Sequence, residues 1–251
     1  MKLIKRSRKS GRIKSAVYPD DIDPAYYDDV FHRARGIQSK WHHLKFSRFR
    51  RDLPSDSDHL DVGCGPGTFI GTLETGHRSI GADVSEEFLK IARTRYGGGD
   101  RTFIHMEPDV LELDSNSFDV VTCIEVIEHM EEEQANRLLG EMLRVLRPGG
   151  ALLMSTPNYA SPWPIVENLV NRFGDVSYDH HHITSYTPLR LSGTLQSVGY
   201  SGVEVFSWML AAPFAAALGW RFADMVADLE PNGVVRRWGL LLYAKAFKPS
   251  V

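Results

Sequence analysis

The sequence has few cysteines and no long hydrophobic run, and both shortages exclude classes of protein. Two cysteines in 251 residues cannot form a disulfide framework, and no Cys-x-x-Cys pair is present to start a structural zinc site. The longest uncharged apolar run covers residues 205–220, which is shorter than the roughly 20 residues that a membrane-spanning helix needs. The sequence therefore predicts a cytoplasmic chain without disulfides or spanning helices.

Acidic residues are scarce at the start of the chain. Residues 1–51 carry 14 Lys/Arg and 5 Asp, whereas the remaining 200 carry 15 Lys/Arg and 27 Asp/Glu. Residues 1–15 hold seven basic residues and no acid, and they lack the apolar stretch of a secretory signal. This pattern predicts a basic flexible tail over residues 1–20, whose charge suits peripheral contact with an anionic membrane surface or with nucleic acid.

The order of elements predicts the fold class. Residues 21–54 read as an N-terminal helical cap, and from residue 58 short apolar runs alternate with helical segments up to a fifth strand at 151–155. Such alternation predicts an α/β domain with a parallel, doubly wound sheet over residues 55–251. Two further strands are expected near 202–206 and 240–247, so the gap at about 207–237 is predicted to be an inserted helical cap.

The clearest motif is residues 60–69, Leu-Asp-Val-Gly-Cys-Gly-Pro-Gly-Thr-Phe. Three alternate glycines lie between a predicted strand and a predicted helix, where glycine lets the backbone turn tightly and approach a ligand. Asp83 follows the next predicted strand, the position from which a carboxylate binds ribose hydroxyls in such folds. The glycine spacing differs from that of dinucleotide sites, and Asp61 would repel a pyrophosphate. The motif therefore predicts a nucleoside ligand that carries positive charge.

With these motifs the sequence resembles class I S-adenosylmethionine-dependent methyltransferases over about residues 56–206. The matching segments are residues 60–69, 81–85, 117–121, 125–130 and 146–150. The resemblance implies a Rossmann-like sheet of seven strands with the last strand antiparallel, and S-adenosylmethionine as the cofactor.

The resemblance also implies roles for individual residues. Asp61 would hold the ammonium group of the cofactor, Asp83 the ribose hydroxyls, and Val84 would pack on the adenine. An acid after the third strand would contact the adenine amino group; Asp109 is the first candidate and Glu107 its competitor. The implied cofactor-binding residues are Asp61, Gly63, Cys64, Gly65, Gly67, Asp83, Val84, Asp109, Val110 and Ile124.

The segment Glu125-Val126-Ile127-Glu128-His129 follows the fourth predicted strand, at the edge where parallel sheets bind ligands. In a helical turn Glu125 and His129 would share a face, with Glu128 beside them. These three residues are the candidate catalytic group, in which His129 would remove a proton from an alcohol or phenol. A structural role for His129 is the alternative.

The same side chains suit a divalent cation such as Mg²⁺ or Mn²⁺. Two families share the layout: ubiquinone-biosynthesis O-methyltransferases and small-RNA 3′-terminal 2′-O-methyltransferases. In the second, a Thr-Pro-Asn stretch follows and a late histidine precedes a threonine by five residues, as His182 precedes Thr187 here. The rest of that late context is mostly missing in this chain. The candidate metal ligands are Glu125, Glu128, His129 and His182, and the residues leave a metal-bound and a metal-free mechanism open.

These observations predict a methyltransferase that acts on an oxygen of a small-molecule or lipid-like acceptor. The apolar stretch 206–220 would lie near the acceptor if it caps the sheet, although a plain core helix explains it equally well. The family's N-terminal helix closes over the cofactor, and the candidates to line it are Tyr26, Tyr27, Trp41, His42 and Lys45, with Lys45 a candidate partner of the cofactor carboxylate. The alternatives are a metal-dependent RNA ribose 2′-O-methyltransferase and a non-catalytic S-adenosylmethionine-binding protein.

Overall fold

The computed structural model describes residues 23–74, 78–173, 182–230 and 232–250. The predicted basic tail over residues 1–20 and residues 179–181, next to the candidate ligand His182, lie outside the described residues.

Seven strands form one sheet in the order β3-β2-β1-β4-β5-β7-β6. The strands are β1 (Asp58–Val62), β2 (Arg78–Asp83), β3 (Arg101–His105), β4 (Phe118–Ile124), β5 (Leu146–Pro157), β6 (Ser201–Trp208) and β7 (Leu241–Phe247). Strands β1 to β5 pair in parallel, and β7 pairs antiparallel with both β5 and β6. The predicted doubly wound, seven-stranded sheet with an antiparallel last strand is therefore confirmed.

Helices cover both faces of the sheet. They are α1 (Tyr26–His32), α2 (Gly36–Asp52), α3 (Thr68–Gly71), α4 (Glu86–Tyr96), α5 (Glu132–Val145), α6 (Trp163–Phe173), α7 (Pro188–Val198), α8 (Ala212–Ala215), α9 (Trp220–Leu229) and α10 (Asn232–Trp238). A short 3₁₀ helix covers Ile127–His129. Helices α1 and α2 precede the sheet and α8 to α10 lie between β6 and β7, where the N-terminal cap and the inserted cap were expected. No helix in the described part of the chain is both long and apolar enough to cross a bilayer.

Local sequence explains where these helices begin and end. Ser85 caps α4 by accepting a hydrogen bond from the backbone N–H of Phe88 at 3.3 Å, and acids in the first turn and arginines in the last match the helix dipole. Thr187 caps α7, Pro188 occupies its first turn, and Gly199 ends it in the left-handed conformation. The boundary residues of α4 and α7 therefore determine where these two helices begin and where α7 ends.

The sheet has an apolar cluster on each face. On one face α5 and α7 bury residues such as Leu139, Met142 and Leu195 against β4 and β5. On the other face α2 packs Phe46 and Phe49 against β4, β5 and β7. This second contact places α2 across the sheet, above the carboxyl ends of the central strands.

Candidate active site

A cavity of 530 Å³ is lined by the glycine loop, the residues just after β4, one side of α2 and the first turn of α6. In open parallel sheets ligands bind where the strand order reverses. That point lies between β1 and β4 in this sheet, so the cavity occupies the place where the fold binds ligands.

The glycine loop has backbone angles that favour glycine. Gly63, Gly65 and Gly67 have φ values of +71°, +52° and +78°. A Cβ atom on Gly67 would lie 2.8 Å from the Cβ atom of Ala92, closer than packed atoms approach. Position 67 is therefore restricted to glycine both by its backbone angle and by its neighbour.

Asp83 ties the glycine loop to the end of β2. Its side chain is buried, and its two oxygens accept hydrogen bonds from the backbone N–H groups of Gly65 and Ser85, both at 2.8 Å. Burial raises the pKa of Asp83 to about 6, and these hydrogen bonds limit the rise. The carboxylate therefore shapes the loop by holding the backbone on both sides of it.

Asp61 lies beneath the loop at the end of β1. It is 2% exposed and accepts a hydrogen bond from the Thr122 hydroxyl at 2.5 Å. Burial raises its pKa to about 7; the Thr122 hydrogen bond opposes the rise and the charge of Asp83 adds to it. A cationic ligand would restore the ionised form, as expected for a carboxylate that holds an ammonium group.

The predicted cofactor-binding residues divide between the cavity and its surroundings. Those that line the cavity are Asp61, Gly63, Cys64, Gly65 and Ile124. The others, Gly67, Asp83, Val84, Asp109 and Val110, are not part of the lining. Asp109 forms an ion pair with Arg137 at 2.5 Å, and the Val110 side chain is 46% exposed. The residues that the resemblance assigns to the ribose and adenine are therefore outside the cavity.

Helix α1 is fastened to the segment that follows the glycine loop. Asp28 is fully buried and accepts hydrogen bonds from the hydroxyls of Thr68, at 2.6 Å, and Tyr96, at 2.5 Å. Arg95 completes the cluster as an ion-pair partner. These contacts hold the N-terminal helices against the cofactor site.

The segment after β4 differs from the helical turn expected at Glu125–His129. Glu125 has a left-handed backbone, with φ of +55°, and the 3₁₀ helix begins only at Ile127. Glu125 and His129 therefore do not share a helical face. The carboxylate of Glu125 forms an ion pair with Lys45 of α2 instead, a contact that the spacing along the sequence does not indicate.

Glu128 is the most buried member of the group, at 1% exposure. Its Oε2 accepts a hydrogen bond from the Thr156 hydroxyl at 2.9 Å, whereas its Oε1 is buried without a hydrogen-bond partner. Burial raises the pKa of Glu128 to about 7; His182 opposes the rise and Glu125 adds to it. The unpartnered oxygen is available to a proton, a ligand or a cation.

His182 is brought to this site by backbone hydrogen bonds. The carbonyl oxygen of Glu128 accepts from the N–H groups of Ile183 and Thr184 at 2.7 and 3.0 Å, and the His182 and His129 rings lie 5.1 Å apart. One ligand atom each of Glu128, His129 and His182 lies within 4.8 Å of the others. Three of the four predicted metal ligands are thus grouped, and Glu125 is outside that group.

Helix α6 contributes side chains that the sequence analysis missed. Glu167 forms an ion pair with Nδ1 of His182, and the Tyr159 hydroxyl lies 3.0 Å from the same atom. Burial lowers the pKa of His182, but Glu167 and the nearby carboxylates outweigh it, so the net shift is upward. A helical period starting at Trp163 would have placed Glu167 and Trp163 on one side of α6.

The rest of the cavity wall is largely aromatic. Tyr26, Tyr27 and Trp41 line it from the N-terminal helices, and Trp163 and Phe214 line it from α6 and α8. The Trp41 and Trp163 rings are 5.5 Å apart, and the buried indole nitrogen of Trp163 has no hydrogen-bond partner. Among the described lining residues Lys45 is the only lysine or arginine.

Fold and site together define an α/β protein with a cavity over the glycine loop that follows β1. Comparison with known proteins shows what the chain is similar to. Residues 60–154 match the family described as a methyltransferase domain. The chain is 32% identical over 166 residues to the demethylmenaquinone methyltransferase of Clavibacter sepedonicus, covering 64% of this chain and 63% of that protein.

One further relative and one solved structure are also described as methyltransferases. The chain is 35% identical over 103 residues to the ubiquinone biosynthesis O-methyltransferase of Idiomarina loihiensis, covering 39% of this chain and 42% of that protein. A Thermotoga maritima structure described as a SAM-dependent methyltransferase superposes with a TM-score of 0.64 at 17% identity, over 89% of this chain and 94% of that one. The chain therefore matches a methyltransferase domain over residues 60–154 and shares the fold of the Thermotoga protein, and it spans less than two thirds of the two curated relatives.

Proposed function

We propose that the chain transfers a methyl group from S-adenosylmethionine to a hydroxyl oxygen of a small, apolar acceptor. The observation that carries this proposal is His129, which lines the same cavity as the glycine loop and faces an aromatic wall. The names of the Clavibacter and Idiomarina relatives support a small-molecule acceptor.

The reaction needs alignment of three atoms and removal of one proton. The acceptor oxygen attacks the methyl carbon while the carbon–sulfur bond breaks, and the bonding pair stays on sulfur, which leaves as the neutral thioether S-adenosylhomocysteine. His129 accepts the hydroxyl proton, the role of a general base. The glycine loop and the aromatic wall hold the two substrates in line and exclude water, which contributes several kcal/mol through positioning.

The lining favours a neutral acceptor. The single lysine of the described lining is committed to Glu125, so an anionic group on the acceptor has no free lysine or arginine there. An aromatic or prenylated alcohol or phenol fits these features.

A metal-assisted version of the same reaction is the second candidate, and the unpartnered Oε1 of Glu128 favours it. Two imidazoles and a buried carboxylate fit a divalent ion such as Mn²⁺, Fe²⁺ or Zn²⁺. Glu128, His129 and His182 would hold the ion, with Glu167 orienting His182. A bound ion would lower the pKa of the acceptor hydroxyl.

We also propose that the protein contacts an anionic lipid surface, through α9 and its flanks. Leu218, Phe222, Met225 and Leu229 form an exposed stripe at helical spacing, and contiguous exposed apolar surface marks interaction sites. Arg221, Arg236 and Arg237 are exposed nearby. The acid Asp224 is paired with Lys40 and Glu230 accepts from backbone N–H groups, which leaves the exposed Asp228 opposed by the three arginines.

Radiolabelled S-adenosylmethionine tests the proposed function directly. The full chain is incubated with it and with separated lipid, metabolite, RNA and protein fractions of a cell extract, each with and without EDTA. We expect label in the lipid or metabolite fraction. Label in RNA would support the RNA alternative, and cofactor binding without label in any fraction would support the binding protein. Loss of label with EDTA would favour the metal-assisted version.

A further inference from the structure

A buried histidine lies in the middle of the sheet, on the strand that leads to the glycine loop. His59 of β1 is fully buried, and both of its ring nitrogens face hydroxyl groups. Nδ1 lies 3.1 Å from the Ser79 hydroxyl of β2, and Nε2 lies 2.8 Å from the Thr122 hydroxyl of β4. The proposed transfer step does not use a polar ring at this position.

The histidine is connected to the cofactor site through Thr122. The Thr122 hydroxyl donates to Asp61 at 2.5 Å, and Asp61 lines the cavity. A single hydrogen-bonded chain therefore runs from Ser79 to Asp61 across three neighbouring strands, and each of its members is at most 2% exposed. Buried polar groups need such partners, and here the partners lead to one carboxylate.

The donors and acceptors of this chain fix its direction when Asp61 is ionised. A hydroxyl has one O–H group, and Thr122 gives its proton to the carboxylate. The Thr122 oxygen then accepts from the Nε2–H group of His59, which leaves Nδ1 of a neutral ring as the acceptor for the Ser79 hydroxyl. Every bond then points toward Asp61, and bonds in such a chain strengthen one another.

We infer that His59 is a positioning residue for the cofactor site: its Nε2–H group holds the Thr122 proton on Asp61 and so favours the ionised carboxylate. The inference rests on the proposed use of S-adenosylmethionine, whose positive charge an ionised Asp61 attracts. A hydrogen bond to the charged form of a carboxylate lowers its pKa, and the Thr122 bond opposes the effect of burial on Asp61 in this way.

The other titratable groups around Asp61 do not supply this effect. Asp83 lies at the end of β2, and its charge raises the pKa of Asp61. Burial raises the thiol pKa values of Cys64 and Cys123 well above their usual range, so both thiols stay neutral. Thr122 acts on Asp61 in the opposite direction, and His59 acts through it.

Nitrogen NMR of the histidine rings tests the direction of the chain without measuring activity. The full chain is labelled with ¹⁵N at its histidines, and the His59 signals are assigned by their absence from His59→Gln. Spectra are recorded with S-adenosylhomocysteine at about pH 8, above the raised pKa of Asp61. We expect the Nε2–H tautomer. The Nδ1–H tautomer would mean that Thr122 donates to His59, and it would overturn the inference.

The pH profile of S-adenosylhomocysteine affinity tests whether the chain matters for binding. Calorimetry would compare the wild type with Thr122→Val, His59→Leu and His59→Gln. Without the Thr122 donor Asp61 binds its proton more readily, so the midpoint of the profile should move upward by about one to two pH units, the value of one charge-assisted hydrogen bond. His59→Leu should move it in the same direction, roughly a third as far. His59→Gln keeps a donor and an acceptor and should recover most of that shift.

Ser207 provides the matched control. Its hydroxyl is 1% exposed in β6, at the edge of the sheet, and donates to the backbone carbonyl of Arg236. Ser207→Ala removes one buried hydroxyl from the same sheet, as Thr122→Val does, and should leave the midpoint where it is in the wild type. If His59→Leu does not fold, Thr122→Val and the NMR measurement still decide.

Three results would contradict these expectations. Losses of affinity that are equal at every pH in Thr122→Val and His59→Leu would give both residues a structural role only. A wild-type profile without pH dependence would show that binding does not need the charge of Asp61, and either result would overturn the inference. Failure of the wild type to bind S-adenosylhomocysteine would instead overturn the proposed function.

Discussion

The cofactor half and the acceptor half of the cavity are built in different ways. The cofactor half consists of strand ends and one glycine loop, and its key side chains are carboxylates held by backbone and hydroxyl donors. The acceptor half consists of helices α1, α2, α6 and α8, and its wall is aromatic. The first half is thus set by the sheet itself, whereas the second depends on how separate helices pack over it.

This contrast predicts that substitutions in the two halves affect different steps. Changes in the cofactor half should alter the binding of S-adenosylhomocysteine. Changes at His129 and in the acceptor half should alter transfer and leave that binding in place.

The largest effect is expected for His129→Ala. Loss of the general base should lower the rate of methyl transfer by about 10²- to 10⁴-fold, while the affinity for S-adenosylhomocysteine stays within about twofold, since the proposal assigns His129 to the acceptor and not to the cofactor. Single-turnover transfer and calorimetry measure the two quantities. Full activity in this variant would exclude both the base and the metal role of His129, and a large loss of binding would break the separation of the halves.

The second largest effect is expected for Asp83→Asn, in the affinity for S-adenosylhomocysteine. The amide keeps the shape but loses the charge that accepts from Gly65, Ser85 and the ribose, so S-adenosylhomocysteine should bind about 10- to 100-fold more weakly. Calorimetry with 5′-methylthioadenosine should show the same loss, because both ligands carry the ribose. Thermal unfolding without ligand serves as the control for the loop contacts. An unchanged affinity would place the ribose elsewhere.

The two halves also differed in how far the sequence predicted them. Residues 60–69 carry the loop in one contiguous segment, and Asp83 follows from its place at a strand end. The lysine partner of Glu125 comes from 80 positions earlier, and Glu167 of α6 forms an ion pair with His182, which lies outside that helix. No local pattern encodes such contacts, because they arise only when α2 and α6 pack on the sheet.

Glu125 shows most clearly what the sequence pattern could not predict. Its four-residue spacing to His129 is correct for a helix, and the expectation of a shared face fails because the backbone turns left-handed at Glu125. One residue outside helical geometry redirects a side chain. The sequence pattern predicts that these residues follow β4, but it does not predict the direction of their side chains.

The pH dependence of binding tests the cofactor half without mutation. Asp61 and Asp83 have pKa values raised to about 7 and about 6, so falling pH protonates them and removes the charge that attracts the ammonium group and the ribose. Affinity for S-adenosylhomocysteine should therefore fall on the order of tenfold between about pH 7.5 and 5.5. Asp61→Asn should bind more weakly at high pH and show a shallower profile. A flat wild-type profile would mean that neither carboxylate needs its charge for binding.

The smallest effect concerns the surface beside the acceptor half. Vesicles of neutral lipid, with and without phosphatidylglycerol, would be sedimented with the full chain and with Leu218→Glu and Leu229→Glu combined. Each lost apolar contact is worth about 1.5–3 kcal/mol if fully inserted. Partial insertion and new repulsion from anionic lipid should together reduce vesicle binding several-fold, without changing S-adenosylhomocysteine affinity.

Leu189→Glu is the control, since Leu189 is 85% exposed on α7, away from this stripe. This variant should bind vesicles like the wild type. Equal losses in both variants would remove α9 from the contact, and concentration-dependent dimers that the Leu218/Leu229 variant abolishes would show that a second copy of the chain covers the stripe.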